Sequence, residues 1–395
     1  MVIPMRKNII LKELICIILA SFSLLSFGCA MKGDGQKSTI KASPNMTTTD
    51  ANYMEIKIGP TPFSPTVADF NQDGFNDIAV VSHGESNLQI YWGGTNHTFN
   101  KGPTYGKTMV GYHPGKLAVI DWDNDGLEDI ILACEGIFKV QFWKNTGTGF
   151  EKKAEFPVNF NAKSIQCTDF DNDGLIDIVL GPHEGHQVLV LWRKNQSFTF
   201  NLQRIDAGPM TENVETGDWN LDGKPDIFWV EKKFGAVVVA LNQGHKKFEK
   251  KYLKKPERPR GVIKDGPEYV KLADLDGDSC IDAAVTLEVG KACLIYYGNC
   301  SGGVKKREKI PAPAWGFSGL AAVGMNSKHE SMLGLGEELK VFIGKRVGGS
   351  WKLVKKPAGS LPRDLSFVDI DDDGILDLIF SNAAQDTVGI LWGPF

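Results

Sequence analysis

The sequence contains few of the motifs that define common catalytic and metal sites. Only seven of its 395 residues are cysteine, and none stands in a C-x-x-C pair, which argues against a paired-cysteine zinc or redox site. Neither G-x-S-x-G nor H-E-x-x-H occurs, so the serine-hydrolase and zinc-protease classes that carry those motifs find no support. The composition is ordinary for a globular protein, with 42% hydrophobic and 10% aromatic residues, and it predicts a large buried core.

The longest apolar run, LICIILASFSLLSFG, is too short to span a bilayer comfortably and follows three basic residues near the N-terminus. This arrangement predicts a secretory signal over residues 1–28. Cys29 follows Gly28 in LSFGCA, which resembles a bacterial lipoprotein processing site. We therefore expect an exported protein, lipid-anchored through Cys29 in the cell envelope or at the cell surface. Plain cleavage after Gly28, followed by secretion, is the alternative.

Residues 30–52 are polar and low in apolar side chains, which predicts a flexible tether. An exported protein can form disulfides. Cys280 and Cys300 flank a predicted hairpin whose turn lies near Val289 and Gly290. Antiparallel pairing about that turn brings the two cysteines opposite each other, so one interpretation is a Cys280–Cys300 bridge. The other is that the thiols stay unpaired and buried.

One acidic segment, D-x-[DN]-x-D-G-x-x-D, recurs along the chain. Its first aspartates are 52, 48, 49, 56 and 95 residues apart. The last gap is two periods, and within it GLAAVGMNSKHESMLGLGEELKVFIG keeps the apolar pattern but has lost the acids. We therefore count seven repeats, one of which we call the eroded repeat. A period near 50 residues predicts an all-β, seven-bladed β-propeller over residues 53–395, with one four-stranded blade per repeat.

The chain ends after the third strand of its last repeat, while YMEIKI from Tyr53 has the pattern of a fourth strand. We expect this N-terminal strand to complete the last blade and so remove an open sheet edge.

Each acidic loop places side-chain oxygens at positions 1, 3, 5 and 9. Calcium takes six to eight oxygens at about 2.3–2.6 Å, and carboxylates this close would repel one another without a cation. We predict up to six structural Ca²⁺ ions. Their side-chain ligands would be Asp69, Asn71, Asp73 and Asp77; Asp121, Asp123, Asp125 and Asp129; Asp169, Asp171, Asp173 and Asp177; Asp218, Asn220, Asp222 and Asp226; Asp274, Asp276, Asp278 and Asp282; and Asp369, Asp371, Asp373 and Asp377.

The six loops are not equivalent. Loops one and four have Asn71 and Asn220 at position 3 and carry one charge less. Loop five has Ser279 where the turn favours glycine, so a distorted turn is expected there. The corresponding segment of the eroded repeat, residues 324–328, is expected to bind no ion.

This pattern resembles the FG-GAP/VCBS repeat family, the propeller type of integrin α-subunits and many bacterial surface proteins. The resemblance covers residues 53–395. It implies structural calcium in the loops that join strands one and two of a blade. It also implies a ligand surface on the opposite face, around the central channel.

Charge gives a further indication about partners. The whole chain is −4, and loss of residues 1–28 removes three basic residues and one acidic residue, giving −6. Six Ca²⁺ ions would bring the protein to about +6, and basic residues crowd segments 246–271 and 305–309. A positive surface favours an anionic polysaccharide as partner, with a surface protein as the other possibility. Nucleic acid is not expected for an exported protein.

Fourteen residues after the first aspartate, each repeat turns from its second strand to its third. Three interpretations of the polar residues there remain open: ordinary turns, a binding rim, or an active site. A binding or adhesion module would use Glu135, His186, Lys232, Trp315 and Arg363. The alternative is a polysaccharide lyase that removes a proton beside a uronate carboxylate, and its candidate residues would be His83, Tyr112, His113 and His183.

Overall fold

A computed structural model describes residues 52–183, 185–256, 265–312, 316–325 and 330–395 of the chain. The predicted signal peptide, Cys29, the tether apart from Asn52, and Trp315 lie outside these ranges. Among the described residues, no helix is long and apolar enough to cross a membrane.

The described chain is almost entirely β-strand, with one short helix, α1 (Lys107–Val110), and two 3-10 turns at Glu135–Ile137 and Lys232–Phe234. The strands of the N-terminal half are β1 (Tyr53–Lys57), β2 (Pro62–Ala68), β3 (Asp77–Ser82), β4 (Asn87–Gly94), β5 (Thr98–Tyr105), β6 (Pro114–Ile120), β7 (Asp129–Cys134), β8 (Lys139–Asn145), β9 (Phe150–Pro157), β10 (Ala162–Thr168), β11 (Asp177–Pro182), β12 (Gly185–Arg193) and β13 (Phe200–Gly217).

The strands of the C-terminal half are β14 (Asp226–Glu231), β15 (Ala236–Asn242), β16 (Phe248–Lys254), β17 (Pro267–Ala273), β18 (Asp282–Leu287), β19 (Ala292–Gly298), β20 (Val304–Pro311), β21 (Gly319–Val323), β22 (Met332–Glu337), β23 (Lys340–Val347), β24 (Ser350–Pro357), β25 (Pro362–Val368), β26 (Asp377–Asn382) and β27 (Thr387–Leu391).

Consecutive strands pair antiparallel, and most repeats form a separate four-stranded sheet. These sheets are β2–β5, β6–β9, β17–β20 and β21–β24. The third and fourth repeats instead share β13, which pairs with β12 through residues 200–206 and with β14 through residues 211–217. This continuous strand joins them into one seven-stranded sheet, whereas the sequence predicted two separate strands there.

The N-terminal strand completes the sheet of the last repeat. β25, β26 and β27 form a meander, and β1 pairs antiparallel with β27 so that Tyr53 lies opposite Leu391. The pairing supplies hydrogen-bond partners to an edge that β27 would otherwise expose.

Hydrophobic clusters lie between successive sheets. The second strand of every repeat is buried along its whole length, because both faces of the sheet are covered by neighbours. One cluster joins the last sheet to the first through Ile78, Val80, Ile379 and Ile390. Full burial of one such side chain contributes about 1.5–3 kcal/mol, so these interfaces dominate the stability of the fold.

The first strand of each repeat, here called the inner strand, lines a central cavity of about 470 Å³. The fourth strand, the outer strand, forms the opposite edge of the sheet. The inner strand of every acidic repeat shows a shift in register, typical of a β-bulge, before it reaches its acidic loop. The inner strand of the eroded repeat, β21, pairs with β22 without a shift.

Polar side chains of the inner strands link neighbouring sheets at the cavity. The N–H of Leu117 donates to Ser64 Oγ at 3.3 Å, and the N–H of Val270 donates to Asn213 Oδ1 at 2.9 Å. In each case the acceptor lies five residues before an acidic loop, and the donor belongs to the next repeat. The bulges free these backbone groups from their own sheets, so the side chains satisfy donors that would otherwise be buried unpaired.

Cys280 and Cys300 form a disulfide, with their Cα atoms 5.0 Å apart. Cys134, Cys167 and Cys293 are free thiols. The disulfide ties the acidic loop of the fifth repeat to the turn that precedes its outer strand.

Candidate functional site: acidic loops and channel mouth

The aspartate at position 1 shapes each acidic loop by accepting two backbone hydrogen bonds. In loop two, Asp121 Oδ1 accepts from the N–H of Asp125 at 3.1 Å, and Oδ2 accepts from Gly126 at 2.9 Å. The same two bonds occur in the other five acidic loops. Loop five keeps this turn despite Ser279, which adopts a φ of 69° where other loops have glycine. The expected distortion is therefore not observed.

The aspartate at position 9 is buried and fastens the loop to the end of the third strand. Asp129 Oδ2 accepts from the N–H of Trp122 at 3.2 Å, and its Oδ1 accepts from Asn145 at 2.7 Å. All six acidic repeats share this pair of bonds. Burial raises the pKa of Asp129 to about 6, so the ionised form needs stabilisation from its surroundings.

The oxygens at positions 1, 3 and 9 converge as a calcium site requires. In loops two, three, five and six, one carboxylate oxygen from each position lies within 4.8 Å of the others. Two oxygens bound to one Ca²⁺ at 2.3–2.6 Å can be at most about 5 Å apart. Asp171 Oδ1 and Asn220 Oδ1, at position 3 of loops three and four, are buried without a hydrogen-bond partner in the described chain. The residues present therefore fit calcium.

Lysines contact some of these loops, a feature that the repeat pattern did not predict. The ammonium of Lys144 contacts Asp123 Oδ2, and it lies 2.6 Å from Asp125 Oδ2. These hydrogen bonds raise the pKa of Lys144. Lys305 contacts Asp276 and Asp278 of loop five in a similar way. The two lysines come from different strands, β8 and β20, so no common spacing in the sequence could have revealed both.

The opposite end of the inner strands, here called the channel mouth, brings three of the predicted residues together. The rings of His83 and His113 are 4.5 Å apart, and Tyr112 lies 5.4 Å from His113. His83 Nδ1 hydrogen-bonds the carbonyl of Pro114 at 3.2 Å, and burial lowers the pKa of His83. Tyr112 is 51% exposed, with Lys107 Nζ 3.3 Å above its ring. The nearby ammonium of Lys107 lowers the pKa of Tyr112.

A second group at the mouth consists of His183 and Glu135. The Nδ1 atom of His183 lies 2.5 Å from the Oε1 atom of Glu135. Burial acts to raise the pKa of Glu135, but the hydrogen bond from His183 and the nearby His83 and Lys163 outweigh it, so the pKa is lowered. Because His83 belongs to the first group, its effect on Glu135 links the His83–Tyr112–His113 group to the Glu135–His183 pair.

The remaining predicted rim residues do not form one site. Lys232 pairs with Glu288 at 2.8 Å. Arg363 is largely buried near Glu268, whereas His186 is exposed on β12. Trp315 lies outside the described residues. The structure therefore concentrates the convergent histidine and tyrosine side chains in the first three repeats.

Sequence similarity agrees with this architecture. The profile described as "FG-GAP-like repeat" matches residues 69–132, 121–180, 169–229 and 218–285. The matches overlap and together cover more than half of the chain. This chain belongs to the FG-GAP repeat family. No curated protein matches the sequence of this FG-GAP chain.

Solved structures with the same architecture define the fold. BBS1N, solved in complex with ARL6DN, has a TM-score of 0.61 at 13% identity and covers 86% of this chain and 96% of its own. A lectin from Agrocybe aegerita that recognises non-reducing terminal N-acetylglucosamine has a TM-score of 0.55 at 18% identity, with 85% and 86% coverage. The Cps50 (Swd1) β-propeller domain of Myceliophteria thermophila scores 0.57 at 10% identity, with 87% and 100% coverage. The FG-GAP chain is thus an all-β protein with a β-propeller fold.

Proposed function

We propose that this protein is a calcium-stabilised, seven-bladed propeller that binds a partner at the channel mouth. The partner is an anionic polysaccharide or a surface protein. In this proposal the chain is exported and held at the cell envelope through lipidated Cys29. The observation that carries the binding role is the cluster of His83, Tyr112 and His113 at the mouth, where an exposed aromatic ring stands beside polar groups.

Seven blades and a closed ring are supported by three observations. Each repeat supplies one inner strand to the same cavity, and β1 pairs with β27 in the last sheet. The hydrophobic cluster between the last and first sheets continues the packing seen between all other neighbours. A closed propeller holds the mouth residues of different repeats in fixed positions.

Calcium has a structural role in this proposal. The ions would be held by the position 1, 3, 5 and 9 side chains, where they neutralise carboxylates that lie close together. The loops lie at the opposite end of the inner strands from the mouth. The ions would therefore stiffen the blades without contacting a ligand at the mouth.

Propellers of this architecture include a lectin that recognises N-acetylglucosamine and a domain solved with a protein partner. Either partner class is compatible with the mouth described above. The exposed ring of Tyr112 offers a stacking surface to a sugar, and Lys107 and Lys163 offer positive charge to a carboxylate.

A lyase acting on uronate-containing polysaccharide is the second candidate. The observation that favours it is the position of the exposed Tyr112 ring, which lies 5.4 Å from the ring of His113 and beneath the ammonium of Lys107. Tyr112 or His113 would remove the proton from carbon, and neighbouring basic residues would stabilise the charge that develops.

One experiment separates the two candidates. The calcium-loaded protein is mixed with a panel of acidic polysaccharides, and both retention of the protein and absorbance of unsaturated uronate are followed. Retention without absorbance supports binding, and His113→Ala should then weaken retention modestly. New absorbance that Tyr112→Phe abolishes, with retention unchanged, identifies the lyase. If neither retention nor absorbance appears, the polysaccharide partner is excluded and a protein partner is left.

A further inference from the structure

The outer strands of the propeller differ strongly in charge. β16, β20 and β24 carry net formal charges of +2, +3 and +3, for a total of +8. The other four outer strands are β1, β5, β9 and residues 200–206 of β13, and together they carry only +1. The excess of basic residues is therefore confined to repeats four, five and six.

These three strands are neighbours at the edge of the molecule. Arg307 of β20 donates a hydrogen bond from Nη2 to the carbonyl of Leu253 in β16 at 2.7 Å. Trp351 of β24 donates from Nε1 to the hydroxyl of Tyr297, in the sheet of β20, at 3.2 Å. We call the basic residues of these neighbouring strands the basic edge.

Much of this charge is not neutralised within the protein. Lys309, Lys352 and Lys355 are exposed, and with Lys356 they have no acidic partner among the described residues. The only acids on these strands are Glu249 and Glu308. The three lysines of β16 are paired with Glu231, Glu249 and Asp265, and the ammonium of Lys305 contacts Asp276 and Asp278 of loop five. The charge that is not neutralised among the described residues therefore comes from β20 and β24.

We propose that the basic edge binds a linear acidic polysaccharide at a site separate from the channel mouth. The inference rests on the proposed anionic partner and assigns it a second contact surface. In the proposed closed propeller the outer strands form the convex rim, and a linear polymer can follow that rim from β20 to β24. A flat bilayer would touch only part of it. The charges project from hydrogen-bonded strands, so little backbone order is lost when the polymer binds.

The test compares two triple variants of the full-length protein in calcium buffer. The edge variant is Lys309→Glu, Lys352→Glu and Lys355→Glu. The control is Lys57→Glu, Lys101→Glu and Lys153→Glu, which makes the same change in charge on β1, β5 and β9. Affinity for polygalacturonate, with neutral dextran as reference, is measured by calorimetry at low and high salt.

We expect the edge variant to bind polygalacturonate about tenfold or more weakly and the control to change less than about twofold, with both differences shrinking at high salt. Equal losses in the two variants, or no loss in the edge variant, would overturn the proposal. The proposal would also be overturned if the protein bound only vesicles containing 30% phosphatidylglycerol, or only duplex DNA, through the basic edge and did not bind polygalacturonate.

A third variant, His113→Ala, separates this inference from the proposed function. If His113→Ala loses polygalacturonate binding while the edge variant keeps it, the mouth is the only site and the basic edge is rejected. If His113→Ala keeps binding that the edge variant has lost, the edge is the polymer site. The role of the mouth in binding polysaccharide is then rejected.

Discussion

The six acidic repeats and the eroded repeat share the same antiparallel strand pattern but differ in the chemistry at the start of the second strand. In the acidic repeats a buried aspartate begins this strand and accepts the backbone N–H that ends the third strand. In the eroded repeat Met332 begins the strand, and the N–H of Arg346 donates to the carbonyl of Ser331 at 3.3 Å instead.

A backbone carbonyl can thus replace the aspartate as acceptor for the N–H at the end of the third strand. The eroded repeat also has a two-residue turn between β22 and β23, where the first repeat has four residues between β3 and β4. The comparison shows that a blade can form without the acids. What the acids add is a cluster of oxygens with the spacing that a cation requires, and the following predictions test whether it binds one.

The largest expected effect is that of calcium removal. A site filled at one hundred times its Kd contributes about 2.7 kcal/mol, so four filled loops contribute about 11 kcal/mol. This corresponds to roughly 20 °C in Tm at about 2 °C per kcal/mol. Calorimetry with and without chelator checks the value. Hydrogen exchange should show that the N–H of Trp122 loses protection while that of Arg346 keeps it. An unchanged Tm would reject structural calcium.

Replacing a position 9 aspartate should have the next largest effect. Asp129→Ala leaves the N–H groups of Trp122 and Asn145 buried without acceptors, at about 1–3 kcal/mol each. Urea unfolding in the presence of chelator isolates this loss from that of the ion. Met332→Ala is the matched change in the eroded repeat and should cost only its packing. Hydrogen exchange separates the two losses: retained protection of the Asn145 N–H in Asp129→Ala would contradict the assigned role of Asp129.

A smaller effect is expected at the central cavity. Asn213→Ala removes the acceptor of the Val270 N–H, which joins the fourth repeat to the fifth, and should cost about 1–2 kcal/mol of unfolding free energy. The eroded repeat has Gly319 at the corresponding position and offers no such acceptor. Ser350→Ala, on the exposed outer strand of the eroded repeat, is the control and should change the free energy of unfolding by less than about 0.5 kcal/mol.

The smallest effect distinguishes the acidic loops from one another. Lys144→Gln removes an ammonium that contacts Asp123 and Asp125, and an exposed pair of this kind is worth about 0.5–1 kcal/mol. Calcium affinity of loop two should therefore rise about two- to fivefold, as measured by calcium titration calorimetry. Lys153→Gln, on the neighbouring outer strand, serves as control. A weaker affinity in Lys144→Gln would show that the lysine supports the ion rather than competing with it.

Features that recur with the 50-residue period could be predicted from the sequence. The all-β fold follows from that period and the FG-GAP family from the acidic motif that recurs with it. The predicted strand at Tyr53 is present as β1. The turn at Ser279 was expected to be distorted because the backbone has a positive φ there, yet the bonds to Asp274 maintain it.

Features that depend on contact between different repeats could not be predicted. The bond from Val270 to Asn213 joins residues 57 positions apart, and neither residue type is distinctive. The continuous strand β13 also crosses the predicted boundary between the third and fourth repeats. Of the candidate site, His83 and His113 were named together from the sequence, but the contact between their rings required the structure, since the rings meet only when two sheets pack together.

The pairing of β1 with β27 has a mechanical consequence. Any tension on the chain before residue 52 reaches the fold through β1, whose ladder with β27 comprises five residue pairs. One further bond, from the N–H of Trp392 to the carbonyl of Asn52 at 2.8 Å, lies at the point where such a load enters. Peeling this strand would expose Ile56 and open the seam between the last and first sheets. The N-terminal strand is therefore the element at which a pulling force would begin to unfold the molecule.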